Sequence, residues 1–122
     1  FMATSECNAH QKMKQALLEA DDTSTVAFGR RTGISRCLRN EYTAHHMKME
    51  ESGASFEEIR DYERSGDDLG GWRRAPAAII AGNVTQGSAA CGAVAGMIKE
   101  IIPAREVIKR MVEGYRAVIA GL

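Results

Sequence analysis

The stretch from Gly82 to Ile101, GNVTQGSAACGAVAGMIKEI, concentrates the residues most able to admit a ligand. Its glycines, Gly82, Gly87, Gly92 and Gly96, sit among side chains that are mostly small. A glycine inside a helix costs about 0.5–1 kcal/mol relative to alanine, so such a run implies that something approaches the backbone closely. Two readings follow. Gly87-Ser88 ahead of a helix would offer free N–H groups and a positive dipole end to a phosphate. Alternatively, Gly92 and Gly96, four apart on one helical face, let that helix pack tightly on a neighbour, and the spacing favours this second reading. No Walker-type lysine follows a glycine here, and no GxGxxG follows a strand.

The other chemistry-bearing residues are dispersed. His45 and His46 are adjacent, so on a helix they point about 100° apart, poorly placed to share a metal. With no HExxH and no carboxylate at ligand spacing, no metal site is expected. His10 reads as polar surface in a first helical turn. Glu57-Glu58 and Asp67-Asp68 read as solvated charge, and Trp72 beside Arg73 and Arg74 as packing. Met13, Met47, Met49, Met97 and Met111 read as core filler. Cys7, Cys37 and Cys91 are odd in number and far apart, which suits reduced, structural thiols rather than a disulfide framework or zinc site. No Ser-His-Asp or Cys-His arrangement emerges, and no catalytic residue is assigned.

The elements that must position these residues are mainly helical. Asn8 is an N-cap residue type ahead of a helix in which Met13, Ala16, Leu17 and Ala20 recur at helical spacing. Ser24–Gly29 and Gly33–Tyr42 read as two short strands joined through Gly29–Gly33. Glu41–Glu51 reads as a helix with Tyr42, His46 and Met49 on one side, ended by Ser52-Gly53. Ser55 and Glu58 form a capping box for a short helix that Gly66 stops. APAAIIAGN is a small apolar stretch of helical character. A helix is expected to end at Ile101-Ile102, where Pro103 closes it and opens the next. In that last helix Val107, Ile108, Met111, Val112, Tyr115 and Val118 make one apolar stripe.

A chain of 122 residues with 44% hydrophobic and 26% charged content suits one domain with a core. Sixteen basic residues balance sixteen acidic ones, so nothing global favours nucleic acid or a membrane surface. No apolar run approaches the roughly 20 residues of a membrane span. No basic n-region with an apolar core is visible either, and a cytoplasmic location is expected.

The residues also follow a familiar order. FMATSECNAHQKMKQALLEA resembles the segment after the last barrel strand in the nitronate monooxygenase family. That family, once called 2-nitropropane dioxygenases, includes the flavin-dependent enoyl-acyl-carrier-protein reductase II enzymes. The resemblance continues through TSTVAFGRRTGISRCLRNEYT and GNVTQGSAACGAVAGMIKEIIPAREVIKRMV, and is loose from Lys48 to Gly71. It implies a mostly α chain with two short strands, forming the C-terminal third of an FMN-dependent (β/α)8 barrel protein with a small helical subdomain. Such a barrel needs about 250 residues, so the flavin-phosphate loop and the catalytic histidine are expected upstream of Phe1. Residues 1–20 then carry the helix after the last barrel strand, 21–80 a small α+β subdomain, and 81–122 a glycine-rich turn with C-terminal helices returning to the barrel. Gly87 and Ser88 are implied to face the cofactor, and Ala89 and Ala90 the substrate rim. Ala93 stands where the family commonly has glutamine. The implied activity is oxidation of alkyl nitronates with oxygen on FMN. The alternatives are an NAD(P)H- and FMN-dependent enoyl reductase and, in another class, a non-catalytic helical interaction module. The implied partners are the upstream barrel and a small-molecule substrate, with a homodimer left open and neither nucleic acid nor membrane expected.

Overall fold

Helix α1 spans Gln11–Glu19, and His10 caps it: its Nδ1 accepts the Lys12 amide at 3.1 Å. Asn8, expected as the cap, lies two residues outside, because the His10 amide is held by the Ile79 carbonyl at 2.7 Å. Gly82 passes directly beneath the His10 ring with φ of +75°, and a Cβ there would collide with the imidazole. Met13 and Leu17 are 0% and 2% exposed and meet Ala3, Ala20, Leu38, Ala78, Ala89 and Ala95 in the larger core. These alanines bring backbones close around one methionine and two leucines.

A computed structural model describes residues 1–122. After α1 come β1 (Thr25–Phe28), β2 (Ser35–Leu38), α2 (Glu41–Glu51), α3 (Phe56–Arg64), α4 (Arg74–Ile79) and α5 (Ala104–Ala120). Asp67–Leu69 and Ala93–Met97 are 3-10 turns. The fold is thus mostly helical with a single two-stranded sheet. β1 and β2 run antiparallel, pairing Thr25 with Leu38 and Phe28 with Ser35.

The segment expected to become a helix around Gly92 and Gly96 does not. The residues just ahead of it are taken up along β2 and α4. Leu38 N–H donates to the Ala89 carbonyl at 2.9 Å, Cys91 N–H to the Arg36 carbonyl at 3.2 Å, and Ser88 N–H to the Arg74 carbonyl at 2.7 Å. Ala90 faces Cys37 in an antiparallel bridge, so residues 88–91 lie along the open edge of β2. Small side chains let this strip sit on the hairpin. Only the 3-10 turn at Ala93–Met97 follows before Pro103, which itself precedes α5 as expected.

Helix α2 begins at the residue its sequence indicates, because Asn40 and Thr43 form a reciprocal cap. Asn40 also ties α2 to the glycine-rich segment: its Nδ2 donates to the Val84 and Gly87 carbonyls, both at 2.8 Å. Asn40→Ala removes a cap and two such bonds, and unfolding free energy falls by about 2–3 kcal/mol. Asn40→Ser restores only the cap, recovering about 1 kcal/mol. Urea titration of the three proteins checks both numbers; equal stability of the serine and wild-type chains would count against the tie.

A second, aromatic core holds Phe28, Cys37 and Tyr42, with Tyr62 packed against it. Helix α3 starts at the expected capping box, Ser55 N–H donating to Glu58 at 2.7 Å and Glu58 N–H to Ser55 Oγ at 3.2 Å. Glu58 is therefore a cap rather than idle surface charge. The methionines divide: Met13 is fully buried, whereas Met97 and Met111 are 79% and 63% exposed. Met111 belongs to the α5 stripe, which forms as read; only Val107 at its start is half-buried, beside Phe1 and Ile102, and no residue of α5 is fully buried.

A basic cleft beside the glycine-rich segment

Two arginines in one helical turn of α3, Arg60 and Arg64, share a face because they lie four residues apart. Arg73 and Arg74 enter α4 across from them. Together with the β1–β2 connection these elements enclose an open cleft of ≈ 690 Å³. Ser88 lies on its wall, so the glycine-rich segment and the arginines share one space.

Tyr42 lines the cleft, and Tyr62 stacks on its ring at 5.6 Å. The Arg74 guanidinium lies 4.4 Å from the Tyr62 ring centre and 5.5 Å from that of Tyr42. It also donates to Asp68 Oδ2 at 3.0 Å, Ser65 Oγ at 3.1 Å and the Gln86 carbonyl at 3.2 Å. Asp68, expected to be solvated, is therefore half of an ion pair.

Glu63 is the junction behind the cleft. Its carboxylate accepts from Thr32 Oγ1 at 2.6 Å, His46 Nε2 at 3.0 Å and Arg60 Nη1 at 3.1 Å. Burial pushes its pKa up, but the hydrogen bonds of Thr32, His46 and Arg60 outweigh burial and hold it below the ordinary 4.5. A depressed folded-state pKa supplies stability above the unfolded value that is lost as pH falls through the folded one. Stability therefore declines as the solution is acidified below 4.5. Glu63→Gln flattens that part of the profile. Urea midpoints measured across the acid range test this, and an unchanged slope in the variant would refute it. His46 is completely buried against Phe28 and Tyr42, and its Nδ1 lies 3.7 Å from Glu50, beyond hydrogen-bond reach. His45 instead tilts onto Tyr62 at 4.6 Å.

The four site residues read from the sequence have separate fates. Gly87 N–H donates to the Asn83 carbonyl at 3.0 Å and Ser88 N–H to that of Arg74, so neither amide is free to cradle an anion, and no helix follows them. A Cβ on Gly87 would lie 2.6 Å from Ala78 N, so that glycine serves close approach to α4. The Ser88 hydroxyl stays beside the cleft, 3.3 Å from Cys37 Sγ. Ala89 is fully buried in the larger core, whereas Ala90 is exposed. Burial pushes the Cys37 thiol up, against a smaller lowering by Ser88, and burial also raises Cys91, so neither is a thiolate nucleophile near neutrality. The cleft arginines and Glu63 were missed by sequence reading. Four arginines at positions 60, 64, 73 and 74 were the available signal.

These features define a mostly helical α+β unit built on one hairpin, with a basic cleft and a long uncovered helix. The chain belongs to the nitronate monooxygenase family, whose defining pattern matches residues 1–114. Its backbone is similar to that of FabK from Thermotoga maritima, with TM-score 0.80 at 23% identity over 98% of this chain. The M276A mutant of the same protein gives TM-score 0.70 at 22% identity. The chain spans 36% of the length of the first of these structures. No curated protein matches it. No helix is long and apolar enough to cross a membrane.

Proposed function

We propose that this chain is the C-terminal part of an FMN-dependent oxidoreductase that oxidises alkyl nitronates with oxygen. The family match over residues 1–114 carries this reading. Bound FMN supplies the electron transfer, and the protein supplies binding and orientation. Because the Gly87 and Ser88 amides are both engaged, they do not hold the flavin phosphate. What this chain would offer a flavin is the Ser88 hydroxyl, as donor or acceptor, and the small exposed side chain of Ala90. Ala89 supports that face from the core. The apolar stripe of α5 is the surface for the barrel, with Met111 and Tyr115 at 63% and 67% exposure.

The alternative within the family, an NAD(P)H- and FMN-dependent enoyl-acyl-carrier-protein reductase, is supported by Asn8-Ala9-His10 and the Gly82–Gly96 segment. The intact enzyme is assayed with propionate-3-nitronate under oxygen and with crotonyl thioester plus NAD(P)H. Nitronate turnover is the expected result; thioester reduction alone selects the reductase. The intact protein is expected to purify yellow. A colourless protein that cannot be reconstituted with FMN would overturn both and leave the helical interaction module.

A further inference from the structure

Residues 88–91 lie along the free side of β2, which leaves β1 as an outer strand of the sheet. The Arg39 N–H donates to the Ser24 carbonyl at 2.8 Å, and the antiparallel register continues with Val26 opposite Cys37 and Phe28 opposite Ser35. Hydrogen-bonded pairs alternate along such a ladder. Ser24, Val26 and Phe28 therefore turn their backbone groups toward β2, while Thr25 and Ala27 turn theirs outward. No N–H or C=O of Thr25 or Ala27 meets a partner within the chain. On either side the same edge is already satisfied: Gly29 N–H donates to Glu50 at 3.3 Å and Thr23 N–H to Asp21 at 2.8 Å. The open backbone is thus confined to Thr25–Ala27, and an unpaired edge of this kind recruits another strand.

The flanking residues indicate which strand fits. In DDTSTVAFGRR, Asp22 stands as far before Val26 as Arg30 stands after it, and Asp21 as far before as Arg31 after. Laid antiparallel on itself about Val26, the segment sets its acidic end against the basic end of a second copy. Asp22 and Arg30 are exposed and enter no ion pair within the chain. Opposite charges facing each other across two strands favour the pairing, and like charges oppose it. A strand from an unrelated protein has no reason to share this symmetry. The two-fold axis it demands is also the commonest symmetry of soluble oligomers. Val26 meets its own copy at the axis and Thr25 faces Ala27, so no large side chain obstructs the approach.

We propose that β1 is a self-association edge, on which two copies of the protein pair Thr25–Ala27 antiparallel about a two-fold axis at Val26. Thr25 N–H of each copy donates to the Ala27 carbonyl of the other, and Ala27 N–H to the Thr25 carbonyl. Asp22 meets Arg30 at both ends, and the two hairpins become one continuous sheet. So short a ladder fixes the register of the contact and makes a weak, reversible dimer. Nothing in the pairing depends on the flavin reading.

Sedimentation equilibrium of the intact protein is expected to show a reversible dimer with a dissociation constant in the micromolar range. Ala27→Pro deletes an outward N–H that has no partner within the chain, and an edge strand tolerates proline there. It abolishes the dimer and leaves the melting temperature of the dilute monomer unchanged. Arg30→Asp and Asp22→Arg each set like charges opposite and weaken association by about tenfold, whereas the double variant regains wild-type affinity. Both positions are exposed, so these variants fold even where the proline does not. Val26→Cys crosslinks two copies on mild oxidation, since facing residues of this kind have Cα atoms about 4.5 Å apart, within disulfide reach. Ala27→Cys does not, because Ala27 faces Thr25. A protein that stays monomeric at about 100 µM overturns the proposal. A dimer left intact by the proline and by both single charge reversals does so too, as does one that Ala27→Cys crosslinks as readily as Val26→Cys.

Discussion

Replacing Arg74 by alanine lowers the unfolding free energy by about 3 kcal/mol, the largest loss expected from any single side chain here. Arg74 is 4% exposed, an unusual place for arginine. Every side of it is used: Asp68, Ser65 and the Gln86 carbonyl accept in its plane, and Tyr62 and Tyr42 cover it. Truncation removes those donors, leaves a void beside the stacked rings, and frees the 3-10 turn that carries Asp68. Asp68 is half exposed and recovers solvation, which keeps the loss from being larger. Arg74→Lys recovers less than half, since one ammonium cannot reach acceptors on three separate segments. Thermal melts should show the alanine variant lower by more than about 10 °C. A loss under about 1 kcal/mol would mean that the tyrosine stack and turn stand without it.

Gly87→Ala is the second severe change, at about 3 kcal/mol. The added methyl would lie 2.5 Å from the Asn83 carbonyl oxygen and 2.6 Å and 2.9 Å from Ala78 N and Cα. All three are backbone atoms, one set belonging to α4, so no rotamer change relieves the collision. Gly96→Ala meets the same kind of obstacle, with Asp21 C and O both at 2.5 Å. Gly92→Ala is the contrast: its nearest neighbour would be Val94 Cγ2 at 3.9 Å, ordinary contact. Gly92→Ala is therefore expected within about 0.5 kcal/mol of wild type. Chemical denaturation of the three variants tests the ranking, and comparable stabilities for Gly87→Ala and Gly92→Ala would refute it.

That contrast also marks where sequence reading succeeds. Small residues in the Gly82–Gly96 stretch do signal close approach, as read, but at Gly87 and Gly96 rather than at Gly92. The helix expected there shrinks to a 3-10 turn, and residues 88–91 ahead of it are held by long-range partners on β2 and α4, of which spacing within the stretch contains no trace. Local devices were legible. The Glu41–Glu51 helix and the Ser55–Glu58 box depend only on residues within one turn. The apolar stripe from Val107 to Val118 was legible too, because periodicity needs no partner. Charged residues were misread wherever their partners are remote in space or context. Asp68 looks solvated along the chain, and only the fold brings it to Arg74 and places Arg74 against two stacked tyrosines. Likewise Arg60 and Arg64 become one wall of a cleft only when α4 is brought opposite them. The family was legible through residue order at both ends, and the matched span from 1 to 114 agrees with that order.

The position of α5 gives the chain two thermodynamic characters. All 17 of its residues lie outside both cores, and its start is fixed through the Ala104 amide, which donates to Glu6 at 2.8 Å. A helix of that length is marginal in water when its apolar side is uncovered. Its amides should therefore exchange with deuterium orders of magnitude faster than those of α1 and α2 whenever the stripe is bare. The order of this helix is thus borrowed, and its exchange rate serves as a gauge of whether a covering body is in place.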